Sequence, residues 1–345
     1  MRALQLTKPS VLELTEVADP TPGPGEVVVR VGGAGLCHSD LHVLHLPFEV
    51  FPLPLTLGHE ISGHVDELGP DVAGWPVGTP VLVHLAWGCG TCRQCVAGRD
   101  NACATYGRYG TPPAPGLGPP GGMAEKVLVP ARHLVDITGL DPVTSAPLAD
   151  AGLTPYHAIA AELGRLGPGS TAVAIGLGGL GHMGVQILEA TTAATVVAVD
   201  LDAAKVEAAK RLGAEHGLVA DGTAAAAVLD LTGGYGADVV FDFTGVQPTI
   251  DLAVACVAPT GAIRIVGLGG GALTYPAGGD PFSLPWGVSV TRAYGGTRRD
   301  LDEVVALARS ARLHVEVEQH PLADGVAVFE KLERGEVAGR AVLVP

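Results

Sequence analysis

Hydrophobic and polar residues alternate over short runs through the first 150 or so positions of the chain. VLELTEV, VVVRV, GHVDEL, PVLVHL and AEKVLVP each read as a strand, and Gly/Pro clusters such as PTPGPGE punctuate them. This pattern predicts an irregular, β-rich region with long loops. From about residue 171 the texture changes to apolar runs (TAVAIG, TVVAVD, HGLVA, DVVFDF, AIRIVG) separated by helical stretches (HMGVQILEAT, DAAKVEAAKRLGA, TAAAAVLDLT, TIDLAVACV). Repeated βα units of this kind predict an α/β, doubly wound parallel sheet. After Gly295-Gly296, DLDEVVALARSA predicts a further helix and GRAVLVP a β-like tail. The expected division is residues 1–151 with 294–345 as one domain and 152–293 as the other. The biased tract TPPAPGLGPPGG reads as a loop.

A length of 345 residues supports two domains. Glycine (49) and proline (27) are abundant, yet the 47% hydrophobic content supplies the apolar surface that packed cores need. The formal charge of −15 disfavours a nucleic-acid or anionic-membrane partner. MRALQLTKPS lacks the apolar core of a secretory signal, so a cytoplasmic location is expected. Leu166 to Leu188 carries no charge, but Pro168, several glycines, His182 and Gln186 interrupt it, and it is not read as a membrane span.

Three groups of residues carry candidate chemistry. The first is Cys89-x2-Cys92-x2-Cys95-x7-Cys103, four thiolates close enough to complete a tetrahedral shell with no open position. This points to structural zinc. An iron–sulfur cluster is the rival, against which stands the bacterial ferredoxin spacing of three residues and then Pro. The second is Gly176-Leu177-Gly178-Gly179-Leu180-Gly181, between an expected strand and an expected helix, with Asp200 ending the next strand 19 residues beyond Gly181. Gly176 would permit the tight turn, Gly178 the approach of a pyrophosphate and Gly181 the packing of helix on sheet. Asp200 would accept from ribose hydroxyls and repel a 2′-phosphate, favouring NAD over NADP. The third is scattered: Cys37 in GLCHSD, His59 in GHE and Asp150 in ADAGLTPYHA. Spacing alone does not assemble these, and each taken singly is compatible with a packing or capping role.

Taken in order, PGPGEVVVRV, GLCHSD, GHE, the four-cysteine lobe, DAGLTPYHA, GLGGLGHMGVQ, VVAVD, VGLGG and GRAVLV resemble the zinc-dependent alcohol dehydrogenases of the medium-chain dehydrogenase/reductase superfamily over essentially the whole length. The resemblance is to a bacterial, secondary-alcohol type of member. It implies a GroES-like catalytic domain joined to a Rossmann coenzyme domain, with two zinc ions and NAD. The implied ligands of the catalytic zinc are Cys37, His59 and Asp150, the last standing where better-known animal members have a second Cys. Glu60 is implied as a charge neighbour or transient ligand, and Asp40 as the holder of the other ring nitrogen of His59. For the coenzyme the implied contacts are Thr154, Gly176, Gly178, Gly179, Leu180, Gly181, Asp200, Val266, Leu268 and Arg340, with Arg340 on the pyrophosphate.

In the implied reaction zinc lowers the pKa of the alcohol hydroxyl, and the carbinol carbon passes hydride to the nicotinamide. Ser39 takes the proton, which travels by the cofactor ribose to His42, an imidazole being suited to proton exchange near neutral pH. The expected activity is interconversion of small to medium secondary alcohols, primary ones also, with ketones or aldehydes. Leu85 and Trp87 are candidates for the pocket wall. A polyol or sugar dehydrogenase is the alternative within the class, which the apolar stretch LHLPFEVFPLPL opposes. A non-catalytic dinucleotide-binding protein is the alternative outside it. The resemblance also implies a homodimer or homotetramer.

Overall fold

The computed structural model describes residues 1–46, 51–274 and 284–345. Residues 47–50 of the apolar stretch LHLPFEVFPLPL therefore lie outside the described residues. The chain divides into two compact units, Met1–Leu153 with Gly295–Pro345, and Thr154–Tyr294.

The first unit is β-rich. Its larger sheet orders the strands Val317–Pro321, Arg340–Val344, Glu26–Gly35, Glu60–Leu68, Pro80–Val83 and Leu134–Asp136, with Lys126–Pro130 also paired to Glu26–Gly35. A smaller sheet places Arg2–Lys8 between Val11–Glu16 and Leu55–Thr56. In Glu26–Gly35 the apolar side chains Val27, Val28, Val29 and Val31 are buried while Arg30 is exposed, so the strand keeps one charged tip in water and packs the rest. Leu4, Leu57, Ile61, Val83, Val129 and Leu343 meet in one core. The helix Arg298–Arg309 buries Leu301, Val304 and Val305 and opens on a capping box. There Thr297 Oγ1 accepts from Asp300 N (3.1 Å) and the Asp300 carboxylate accepts from Thr297 N (2.8 Å).

The second unit is a six-stranded parallel sheet ordered His216–Val219, Thr195–Asp200, Thr171–Ile175, Ala237–Asp242, Val257–Ile265, Ser289–Arg292. Numbered along this unit the order is 3-2-1-4-5-6, the dinucleotide-binding arrangement. Val173, Val197, Val199, Val240 and Ile263 fill its core from adjacent strands. Helices Gly181–Thr191, Ala203–Arg211, Ala224–Leu231 and Gln247–Cys256 make the crossovers. No helix among the described residues is long and apolar enough to cross a membrane.

Candidate active site and metal centres

Cys37 stands where the strand Glu26–Gly35 gives way to the helix His38–His45, at that helix's N-cap. Asp40, buried in the first turn, accepts from Cys37 N with one oxygen (2.9 Å) and faces His59 Nδ1 with the other (3.2 Å). The imidazole is thereby turned so that Nε2 lies 3.5 Å from Asp150 Oδ2. Asp150 ends the short helix Ala146–Ala149, and its Oδ2 also lies 3.4 Å from Cys37 Sγ. The sulfur, nitrogen and oxygen ligand atoms of Cys37, His59 and Asp150 fall within 4.8 Å of one another, and all three residues are buried. A tetrahedral zinc with ordinary bond lengths separates such ligand pairs by about 3.4–3.6 Å, so the three side chains fit the ion. Burial alone would push the His59 imidazole down. Asp40, with Asp150 and Cys37, outweighs burial and holds it well above its ordinary value. A proton on His59 thus competes with a metal for the same electron-rich shell.

Glu60 stands beside the Cys37, His59 and Asp150 cluster as a charged neighbour. It is fully buried, accepts from Ala151 N (3.2 Å) and pairs with Arg340, whose Nε donates to Glu60 Oε2 (3.0 Å) and whose Nη2 reaches Oε1. Burial pushes its carboxyl up to about 7 against the pull of Arg340. Arg340, expected on the pyrophosphate, is held here by Glu60 through Nε and Nη2, with Nη2 3.7 Å from Asp150 Oδ2, and is only 3% exposed. Ser39 Oγ lies 3.7 Å from Cys37 Sγ, and His42 is exposed on the same helix.

The four cysteines of the lobe form a second cluster, again within 4.8 Å. Cys92 Sγ and Cys103 Sγ are 3.8 Å apart, Cys89 Sγ and Cys95 Sγ 4.0 Å. The edge of a tetrahedron with zinc–sulfur bonds is about 3.8 Å. Backbone amides of Cys92 and Ala104 point at the sulfurs of Cys89 and Cys92 (both 3.3 Å), as thiolates require. The Thr105 hydroxyl and neighbouring amides pull the Cys89 thiol down to about 5, whereas burial pushes Cys95 up to about 12. Four thiols this close do not all ionise without a cation between them.

In the second unit the glycine loop does what its pattern requires. Gly176 adopts φ 84°, and a Cβ there would strike Thr244. A Cβ on Gly181 would strike Gly176 O, which sets the helix Gly181–Thr191 close against the turn. At Gly178 a Cβ would meet nothing, so the protein itself gives no reason to keep that side open; a dinucleotide does. Asp200 accepts from Leu177 N (2.6 Å) and Asp202 N (2.9 Å), which fixes its carboxylate beside the loop. Gly179 and Leu180 lead into the helix, Thr154 is buried, and Val266 and Leu268 follow the strand Val257–Ile265, the first buried and the second half-exposed.

The sequence reading missed the Glu60–Arg340 pair, 280 positions apart, and Asp242. The latter is fully buried and accepts from Thr244 N, Gly245 N (both 2.9 Å) and Thr249 Oγ1 (2.8 Å). Its only sequence signal is its place one residue before the end of the apolar run DVVFDF.

Residues 23–139 match the alcohol dehydrogenase GroES-like domain and residues 179–310 the zinc-binding dehydrogenase family. An NAD-dependent alcohol dehydrogenase of Sulfurisphaera tokodaii is 33% identical over 357 residues, covering 100% of this chain and 99% of its own length. A D-arabinose 1-dehydrogenase (NADP(+)) of Saccharolobus solfataricus is 34% identical over 341 residues, 97% of this chain and 94% of its own. Among solved structures, the alcohol dehydrogenase of the archaeon Aeropyrum pernix superposes with a TM-score of 0.91 at 38% identity, covering 100% of both chains. These three are archaeal, and the expectation of a bacterial type finds no support in them. Together with the two ligand clusters and the open glycine loop, they fit a structural zinc, a catalytic zinc and NAD.

Proposed function

The chain belongs to the zinc-dependent alcohol dehydrogenases of the medium-chain dehydrogenase/reductase superfamily and interconverts alcohols with ketones or aldehydes by hydride exchange with NAD; on that premise we propose that its substrates are small to medium secondary alcohols, primary ones also being accepted. The observation that carries the reading is the buried convergence of Cys37, His59 and Asp150. Zinc, when bound there, supplies the Lewis acidity that lowers the pKa of an alcohol hydroxyl. Cys37 and Asp150 contribute two negative charges to its shell, and Asp40 holds His59 with Nε2 free to act as a ligand. The Ser39 hydroxyl, beside Cys37, receives the substrate proton, and exposed His42, three residues along the same helix, releases it to solvent. Gly176 to Gly181 seat the pyrophosphate, Asp200 the ribose, and Thr154, Val266 and Leu268 the nicotinamide.

The D-arabinose 1-dehydrogenase among the relatives keeps a polyol or sugar substrate as the second reading. NADH formation from NAD over a panel of secondary alcohols, primary alcohols and polyols, each repeated with a metal chelator, tests both. We expect chelator-sensitive turnover of simple alcohols. Faster turnover of polyols would transfer the proposal to the second reading, and no turnover of either would defeat it.

We further propose that the protein is a cytoplasmic homodimer or homotetramer. Six free cysteines, five of them in the two ligand clusters, suit a reducing compartment. The edge strand Ser289–Arg292 is paired on one side among the described residues, and Trp286 (80%) and Val290 (38%) are exposed beside and on it. Light scattering on the purified protein reads the assembly state.

A further inference from the structure

Three consecutive carbonyls lead into the metal ligand His59, and amides from the Pro/Gly tract take all three. Gly121 N donates to Thr56 O (2.8 Å), Met123 N to Leu57 O (2.9 Å) and Gly122 N to Gly58 O (2.9 Å). Contact this dense requires the two backbones to touch, and glycines make that possible. A Cβ on Gly121 would run into the carbonyl oxygens of Leu57 and Gly58. One on Gly116 would stand 2.7 Å from Gly58 N, and one on Gly58 2.7 Å from Met123 Cγ. Gly58 itself holds φ 96°, a turn that swings the chain into His59. The tract is secured at its other end, where Trp87 N donates to Pro113 O (2.9 Å). Internally, Gly116 N donates to Pro119 O (2.8 Å) and Leu117 N to Ala114 O (3.0 Å), so the segment is a folded brace. Pro112, Ala114, Pro115, Gly116, Gly121 and Gly122 are all buried.

We propose that the segment from Pro112 to Met123 is a positioning element of the catalytic metal site. Asp40 fixes the rotation of the His59 ring through Nδ1; the tract fixes where that ring starts from. Both are needed, because a metal shell tolerates errors of only about 0.5 Å in ligand placement. The inference rests on the reading of Cys37, His59 and Asp150 as the catalytic zinc site, and it assigns Gly116, Gly121 and Gly122 a role through His59 without contact to substrate.

The test loads wild type, Gly121→Ala and Gly122→Ala with cobalt(II) in place of zinc, and follows the visible absorption, the metal affinity of each site and the steady-state kinetics. We expect Gly121→Ala to weaken the catalytic site about 10- to 100-fold for metal. Its cobalt bands should shift and kcat fall with KM for NAD little changed, while the four-cysteine site keeps its ion. A folded variant with wild-type cobalt bands and affinity at the catalytic site overturns the proposal. So does loss of metal from both sites in parallel, which would make the tract a support of the whole unit. Gly122→Ala displaces the Ile61 side chain, a softer neighbour than backbone, and decides the matter if Gly121→Ala does not fold. A wild type that takes metal only at the four cysteines would sink the functional reading and this inference together; an unaltered Gly121→Ala spectrum in metal-loaded protein sinks the inference alone.

Discussion

Asp150 occupies a position where two demands meet: its Oδ2 faces both Cys37 Sγ and His59 Nε2, and the Arg340 guanidinium stands behind it. On the proposed reading, replacing it with Ala removes one of three zinc ligands and one of the two negative charges they supply. Turnover of Asp150→Ala should fall to background with one equivalent of zinc, the four-cysteine one, retained. Elemental analysis beside the alcohol assay checks this, and full activity with two zincs would refute it. His133 offers a separate prediction. It stacks with both His84 and Trp87, ring centroids 6.0 Å from each, and burial, followed by His84 and Arg132, holds its imidazole down at about 3, against an ordinary 6.5. The unfolded chain therefore takes up this proton first, and stability contributed at neutral pH is lost as the pH falls from 6.5 toward 3. His133→Phe keeps the stacked ring and removes the titration. Denaturant melts across that range should show a flatter loss of stability, and an unchanged slope would count against the assignment.

Among the elements, those with strong periodicity and local punctuation were legible from sequence. The strand Thr195–Asp200 is buried at its four central positions, and the helix Ala203–Arg211 starts at Asp202, whose carboxylate accepts from Ala204 N (2.8 Å). The strand Ser289–Arg292 escaped because it is four residues long and mostly exposed, so no apolar run marks it. The helix His38–His45 escaped because its eight residues carry three histidines, a serine and an aspartate, which read as chemistry and not as an amphipathic face. The four-cysteine cluster and the glycine loop are local in sequence and could be read from spacing. Cys37 and Asp150 are 113 positions apart, and Glu60 and Arg340 280 apart, so only resemblance joined the first pair and nothing joined the second. The capping box on Arg298–Arg309 invites a direct check: Thr297→Ala should cost about 1 kcal/mol, read as a lower denaturation midpoint with an unchanged slope.

At the scale of the whole molecule, the chain leaves the metal-binding unit at Leu153 and returns to it at Gly295, and the returning strand Arg340–Val344 lies inside the larger sheet, antiparallel to Glu26–Gly35 and parallel to Val317–Pro321. A chain truncated after Gly339 is therefore expected to keep NAD binding in the second unit and to lose the catalytic metal. Cofactor titration and metal counting on the truncated protein would show this, and retention of both zincs would contradict it. The same connectivity sets an order of events during synthesis. The coenzyme unit is one uninterrupted stretch and is ready to fold as soon as it clears the ribosome, whereas the larger sheet beside Cys37 stays open until the strand Arg340–Val344 emerges. Until then its apolar strands are the part of the nascent protein that a chaperone has reason to cover.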